Sequence, residues 1–331
     1  MRRFITQLCY IAGFLNIAFC GPDVFFFHDK PPSYNIVKNP LRRNTGQPKS
    51  IDTIIVLIYG NNFETRKSDY NKTLNTLSNE WKICSGGKSN DFNVTFQNVV
   101  SFESGCNPII NNFNKSQNIN YIQLLSPEQC IPEDSSSIGH GFVDFPLAVI
   151  YASPYTYSMR LAAHELGHNM GLFHAARYND EYGDPTCAMG FVGGGLKDRK
   201  ACFNAPHMNA LGWTVPEEIK NTGKIVLRTD PTYTYTIDGN FYFQFILDEL
   251  YIYKSYAKGE KNWDTELLQV LGPGVQLYNF ASFQLFLNYD TVPATAEIVD
   301  LGTYPQQKTY NYLLLSAAGI LFFLLLFFIF I

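Results

Sequence analysis

The chain has 331 residues, 46% of them hydrophobic and 16% charged, which suits one large or two ordinary packed domains and excludes a disordered protein. Its 25 Lys and Arg stand against 29 Asp and Glu. With no basic cluster after the first few residues, that mildly acidic balance argues against nucleic acid as a partner.

The N-terminus reads Met1-Arg2-Arg3, then a largely apolar run to Phe19, then Ala18-Phe19-Cys20. Two arginines, a short apolar core and small residues at the cleavage positions predict a secretory signal over 1–20. Leu313–Ile331 is apolar apart from Ser316 and uncharged; as a helix it would reach about 28 Å, nearly a bilayer core. Without flanking Lys or Arg it reads as a GPI-attachment signal preceded by a spacer over 301–312, with a retained single-pass helix as the alternative. The expected destination is the cell surface, membrane-held through this tail, or the extracellular space. Sequons at Asn71, Asn93 and Asn114 agree with that route. Outside the signal stand Cys84, Cys106, Cys130, Cys187 and Cys202, an odd set for an oxidising compartment. One thiol is left over, and Cys84 or Cys106 is the candidate for pairing with another chain.

Residues 21–50 are rich in Pro, Asn and basic residues and read as a linker or short pro-segment. The β-branched run Ile51–Tyr59 predicts a buried first strand. Leu74, Leu77 and Trp81 recur at helical spacing and predict a helix over Tyr70–Ile83; Phe92, Val94 and Phe96 alternate and predict a strand over Phe92–Val100. Ser101–Asp134 reads as irregular. Leu147–Tyr151 is again strand-like, and Met159–Met170 a helix that Gly171 ends. After Trp213 short Tyr- and Phe-rich runs alternate with turn residues. The expected architecture is α+β: a domain over 51–215 followed by a β-rich, sandwich-like unit over 216–300.

Residues 164–174 read His-Glu-Leu-Gly-His-Asn-Met-Gly-Leu-Phe-His. On a helix His164 and His168 lie one turn apart on one face, and Glu165 points beside them. If the helix continued, His174 would be rotated by about 240° and displaced by about 9 Å from His168, so the chain must turn. Gly171, which tolerates the left-handed conformation, is placed to do it. Three neutral imidazoles on a zinc ion leave a position for water, whose pKa falls to about 7, and Glu165 is the expected general base for attack on a carbonyl. His207 is a rival third ligand, without helical register to the pair. His28 and His140 are expected in loops. Asp184 either orders a turn or binds a structural cation.

The extended motif resembles that of the metzincin zinc peptidases. Glu181-Tyr-Gly-Asp184-Pro-Thr-Cys-Ala-Met189-Gly190 and Cys202-Phe-Asn-Ala-Pro-His-Met-Asn-Ala-Leu-Gly-Trp213 are similar to signatures of the gametolysin family. The resemblance implies a metzincin-like domain: a twisted mixed sheet, an active-site helix, Met189 as the methionine of a turn below the metal, and a Cys187–Cys202 disulfide holding that turn. It further implies that Asn204–Trp213 closes the specificity pocket, and that Leu147–Tyr151 lies where the family has an antiparallel edge strand for substrate; the strand's being internal is the other reading. Latency through a propeptide cysteine is not expected, since 21–50 contains none.

The expected function is that of a zinc endopeptidase acting on extracellular, cell-wall or matrix protein. A surface adhesion protein with a vestigial zinc site is the alternative, disfavoured by the retained Glu165. Hydrolysis of a non-peptide amide would use the same ligands.

Overall fold

The computed structural model describes residues 46–59, 62–99, 119–125, 139–151, 158–190, 201–219, 223–226, 228, 233–237, 239–246, 249–257, 260–272, 275–280, 283–288 and 295–300. The expected signal, most of the 21–50 segment, the C-terminal spacer and apolar tail, His28, Cys106, Cys130 and Asn114 lie outside the described residues. Among the described residues no helix is long and apolar enough to cross a membrane.

Two compact units are present. One takes the residues up to Val215 together with Lys254–Leu267; the other takes Pro216–Tyr253 and the residues from Leu268 onward. Residues 254–267, read from sequence as part of the β-rich segment, thus belong with the first unit.

That unit begins with β1 (Thr53–Tyr59), α1 (Phe63–Cys84), β2 (Asn93–Val99), β3 (Ile119–Leu125), β4 (Gly139–Gly141), β5 (Leu147–Tyr151), α2 (Met159–Asn169), β6 (His174–Arg177) and α3 (Ala205–Ala210). Its sheet has the order β2-β1-β3-β5-β4, with β4 antiparallel to β5 and the other pairs parallel. Ile54, Val56 and Ile58 alternate into the core, where they cluster with Tyr70, Leu74, Leu77 and Trp81 of α1. The period-2 and period-3.6 patterns of the two elements meet there. The Trp81 ring lies 5.4 Å from Phe92, 5.5 Å from Phe203 and 5.4 Å from Trp213, centroid to centroid. Its Nε1 donates to the carbonyl of Ala201 at 3.0 Å, so the indole is buried without an orphaned donor.

Helix α1 starts seven residues before the sequence reading places it. Its first turns bury Arg66, whose guanidinium donates to the carbonyls of Tyr59 and Leu124, where β1 and β3 end; an apolar period does not register a buried cation. Strand β3 falls in the stretch read as irregular. Ile122 and Leu124 are buried in its middle, but Asn120 is buried too, its amide donating to Asn169 Oδ1 at 3.1 Å. Strand β5 is corrected from edge to interior, because β3 and β4 flank it. The antiparallel edge of the sheet, among the described residues, is β4.

The chain continues through β7 (Glu217–Glu218), β8 (Gly223–Val226), β9 (Thr234–Ile237), β10 (Phe241–Ile246), β11 (Glu249–Ser255), β12 (Trp263–Leu271), β13 (Val275–Phe280), β14 (Phe283–Asn288) and β15 (Thr295–Asp300). In the second unit β9 pairs antiparallel with β10 and parallel with β7, and an antiparallel sheet runs β13-β14-β15-β8. Tyr235, Ile237, Phe243, Phe245, Leu250, Ile252, Leu271 and Leu285 form its core. In the first unit the opening of β12 lies parallel to β6, Trp263 opposite His174 and Thr265 opposite Ala175, with a register shift between them at Asp264.

Candidate metal centre

Ser158 caps α2, its hydroxyl accepting from the Leu161 N–H at 3.1 Å, and every residue from Arg160 to His168 is buried. The helix ends as the glycine requires. Gly171 sits at φ +93°, its N–H donates to the His168 carbonyl at 2.8 Å and the Leu172 N–H to Gly167 at 3.1 Å, the paired bonds of a Schellman ending. A Cβ there would also collide with the Asp144 carboxylate. The reversal starts β6 at His174 and brings the third ring back. One ligand atom from each of His164, His168 and His174 lies within 4.8 Å of the others, and all three side chains are buried.

Each ring is held from behind. His164 Nδ1 lies 2.9 Å from the Ala188 carbonyl, His168 Nδ1 2.8 Å from the Leu172 carbonyl, and His174 Nδ1 2.5 Å from Glu181 Oε1. With acceptors at all three Nδ1 atoms the rings carry their protons there, which leaves the Nε2 lone pairs directed inward. The Nε2 atoms of His164 and His168 are 3.2 Å apart. Two lone pairs that close repel unless a cation lies between them, and nitrogens sharing a tetrahedral zinc at about 2.0–2.1 Å stand ~3.3 Å apart. The donor set therefore fits a metal ion.

Glu165 is buried beside the rings, and the edge strand β4 lies directly over it. A Cβ added to Gly139 would strike the Glu165 carboxylate, and one added to Gly141 would meet the Glu165 carbonyl at 2.5 Å and His168 Cβ at 2.9 Å. The Gly139-His140-Gly141 sequence is what allows the strand to approach the helix so closely. His140, expected in a loop, is in that strand. Tyr151, at the end of β5, has its pKa pushed up, first by burial and then by the Glu165 charge.

Glu181 was not singled out by the sequence reading as a partner of His174. It reaches the ring because the chain reverses at Tyr178 and Asn179, at φ 54° and 63°, between reciprocal 3.0 Å hydrogen bonds joining Arg177 and Asp180, the two-residue turn that left-handed residues make. Tyr182 follows, its ring 4.2 Å from that of His174. The available signal was a carboxylate just past the third histidine in a turn-rich segment.

Met189 is buried under α2, so close to Gly167 that a Cβ there would strike its Sδ. Its carbonyl accepts from Ala175 at 2.9 Å, and the Ala188 N–H donates to Cys202 at 2.8 Å. Asp184 orders the turn: Oδ1 accepts from the Thr186 N–H at 2.8 Å and hydroxyl at 2.6 Å, and Oδ2 from Asn204 at 2.9 Å. Burial pushes its pKa up, opposed by those bonds and by the Arg160 charge.

The cysteine expectation is corrected. Cys202 is bonded to Cys84, and Cys187 is a buried free thiol. The tertiary fold brings α1 beside residue 202, a proximity across 118 residues that spacing does not encode, while Cys187 faces His207 at 3.2 Å. Cys84 is thereby removed as a candidate for pairing with another chain. His207 is placed in that contact and on Asp264, away from the ligand trio. Asn204–Asn209, Leu211 and Trp213 are buried, and the segment is tied to the turn through the Asn204 amide, which donates to Asp184 Oδ2. Asn71, on α1, and Asn93, on β2, are exposed.

Comparison with known proteins agrees with the motifs. The gametolysin peptidase M11 family matches residues 110–242. An autolysin of Chlamydomonas reinhardtii is 45% identical over 64 residues, 18% of this chain, and the match spans 9% of that relative's length. The solved structure of archaemetzincin from Methanopyrus kandleri is similar at a TM-score of 0.33 and 17% identity, over 49% of this chain and 93% of that one; a likeness at that level carries no argument. Residues 110–242, over which this chain is similar to the gametolysin peptidase M11 family, hold the three histidines, Glu165 and Met189.

Proposed function

We propose that the protein is a zinc-dependent endopeptidase of metzincin-like build, with His164, His168 and His174 as ligands and Glu165 as general base. The observation that carries this is the set of three imidazoles converging through Nε2, each fixed at Nδ1 by its own acceptor, beside a buried carboxylate under a sheet edge. Bound there, zinc acts as a Lewis acid that polarises a carbonyl and lowers the pKa of a water to about 7.

The chain's residues supply the rest. An extended polypeptide adds to the β4 edge through backbone hydrogen bonds, giving affinity with little sequence preference, and this sets a peptide bond above Glu165. The Glu165 carboxylate takes a proton from the attacking water and returns it to the departing amine nitrogen. Low local polarity, from the burial of all four side chains, strengthens each of these electrostatic contacts. Extracellular, wall or matrix protein is the substrate class, reached by the secretory route that the N-terminal signal and the Cys84–Cys202 disulfide support; the C-terminal tail is the proposed anchor, and exposed Asn71 and Asn93 are proposed glycosylation sites.

Metal analysis of the purified protein, followed by a casein or gelatin digest with and without chelator, tests this. One zinc per chain and proteolysis abolished by chelator and restored by zinc are expected; chelator-resistant proteolysis overturns the reading.

A further inference from the structure

Behind the metal centre lies a second constellation with no part in the chemistry above. Cys187, His207 and Asp264 are all buried. Cys187 Sγ is 3.2 Å from His207 Nδ1, and His207 Nε2 contacts Asp264 Oδ1. Burial pulls the His207 pKa down, but the Asp264 carboxylate and Cys187 together outweigh it and push it up to about 10. His207 is therefore an imidazolium with both nitrogens donating.

We propose that Asp264 is a positioning residue for two of the three metal ligands, acting through one oxygen on the support of His164 and through the other on the approach to His174. This rests on the zinc-peptidase reading. Along the first route Asp264 holds His207, His207 holds Cys187, and Cys187 immediately precedes Ala188, whose carbonyl fixes His164 Nδ1 at 2.9 Å. The Cys187 carbonyl is gripped on its other side by Arg160, from α2. Along the second route Asp264 Oδ2 accepts the Phe173 N–H at 3.1 Å, one residue before His174. The β6–β12 ladder breaks its register between Trp263 and Thr265, at the residue whose side chain turns in to serve both routes.

A buried ion pair is weak evidence of stability, since desolvation offsets most of the attraction; what such a pair supplies is one fixed arrangement. Here the fixed elements are the carbonyl that orients one ligand and the backbone that delivers another. Outer contacts of this kind typically change metal affinity by about 10- to 100-fold. Residues 254–267 are thus part of the metal-binding unit, though they follow it in sequence by some forty residues from the end of its main segment at Val215.

The test is zinc affinity of the full chain by chelator competition, with the visible spectrum of the cobalt-substituted protein as a second readout. Asp264→Asn and His207→Gln are expected to weaken zinc binding at least tenfold and to alter the cobalt spectrum. Ile54→Ala, a core truncation in β1 outside this network, is expected to lower thermal stability and leave both readouts unchanged. Wild-type affinity in the first two variants, or an equal loss in Ile54→Ala, overturns the proposal. A wild-type chain that takes up no zinc instead sinks the peptidase reading itself. Folding of the variants is bypassed in the wild type: coupling is reciprocal, so saturating zinc should slow alkylation of Cys187 at least tenfold, and an unchanged rate overturns the proposal.

Discussion

His174 Nδ1 lies 2.5 Å from Glu181 Oε1, so the third imidazole is oriented by a carboxylate that arrives through a two-residue turn. A carboxylate behind a ligand fixes its tautomer and raises its basicity. Glu181→Ala should therefore weaken zinc binding about 10- to 100-fold while the protein stays folded. Chelator competition measures this, and an unchanged affinity would show that His174 needs no such support.

Gly139 stands where any side chain would press on the Glu165 carboxylate. Gly139→Ala should keep zinc and lose about 100-fold in kcat/KM, the order of loss that a small misplacement of a catalytic group brings. Steady-state kinetics beside metal analysis separates the two effects. Normal turnover would mean that the strand does not set the position of the base.

The Cys84–Cys202 bond closes a loop with a sequence separation of 118, so its removal should cost about 2–5 kcal/mol in stability. Cys84→Ala is expected to lower Tm markedly, and reductant should do the same to the wild type. A Tm indifferent to both would contradict the pairing.

The His207 pKa is about 10 when folded against about 6.5 for an unperturbed histidine. The folded state binds this proton more tightly, so the stability it contributes is whole below pH about 6.5 and is lost as pH rises through about 10. Between pH 7 and 10 the Tm of the metal-free wild type should fall more steeply than that of His207→Gln. Parallel curves would show that His207 is neutral in the fold.

His164, Glu165, His168, Gly171 and His174 were legible in the sequence because their relations are local: one helical turn, then a glycine that must adopt positive φ. Leu74, Leu77 and Trp81 were legible for the same reason, as a helical period facing one core. What did not show depends on distant partners. Asn120 and Arg66 are polar residues buried by tertiary contacts, and their presence concealed β3 and the first turns of α1. Cys202 could have met any of several cysteines, and only the packing of α1 selects Cys84. Asp264 reaches Phe173 across 91 positions, which no window along the chain connects. Glu181 was near enough in sequence, but the turn that aims it at His174 relies on two non-glycine residues with positive φ, which composition alone does not predict.

Substituting Glu165 by Gln, and following zinc content and proteolysis together on one preparation, addresses the central claim most directly. The account predicts one zinc per chain in both proteins and turnover of a denatured protein substrate reduced by about 100- to 10,000-fold in the variant, the usual contribution of a positioned base. Full proteolysis by zinc-loaded Glu165→Gln would contradict it.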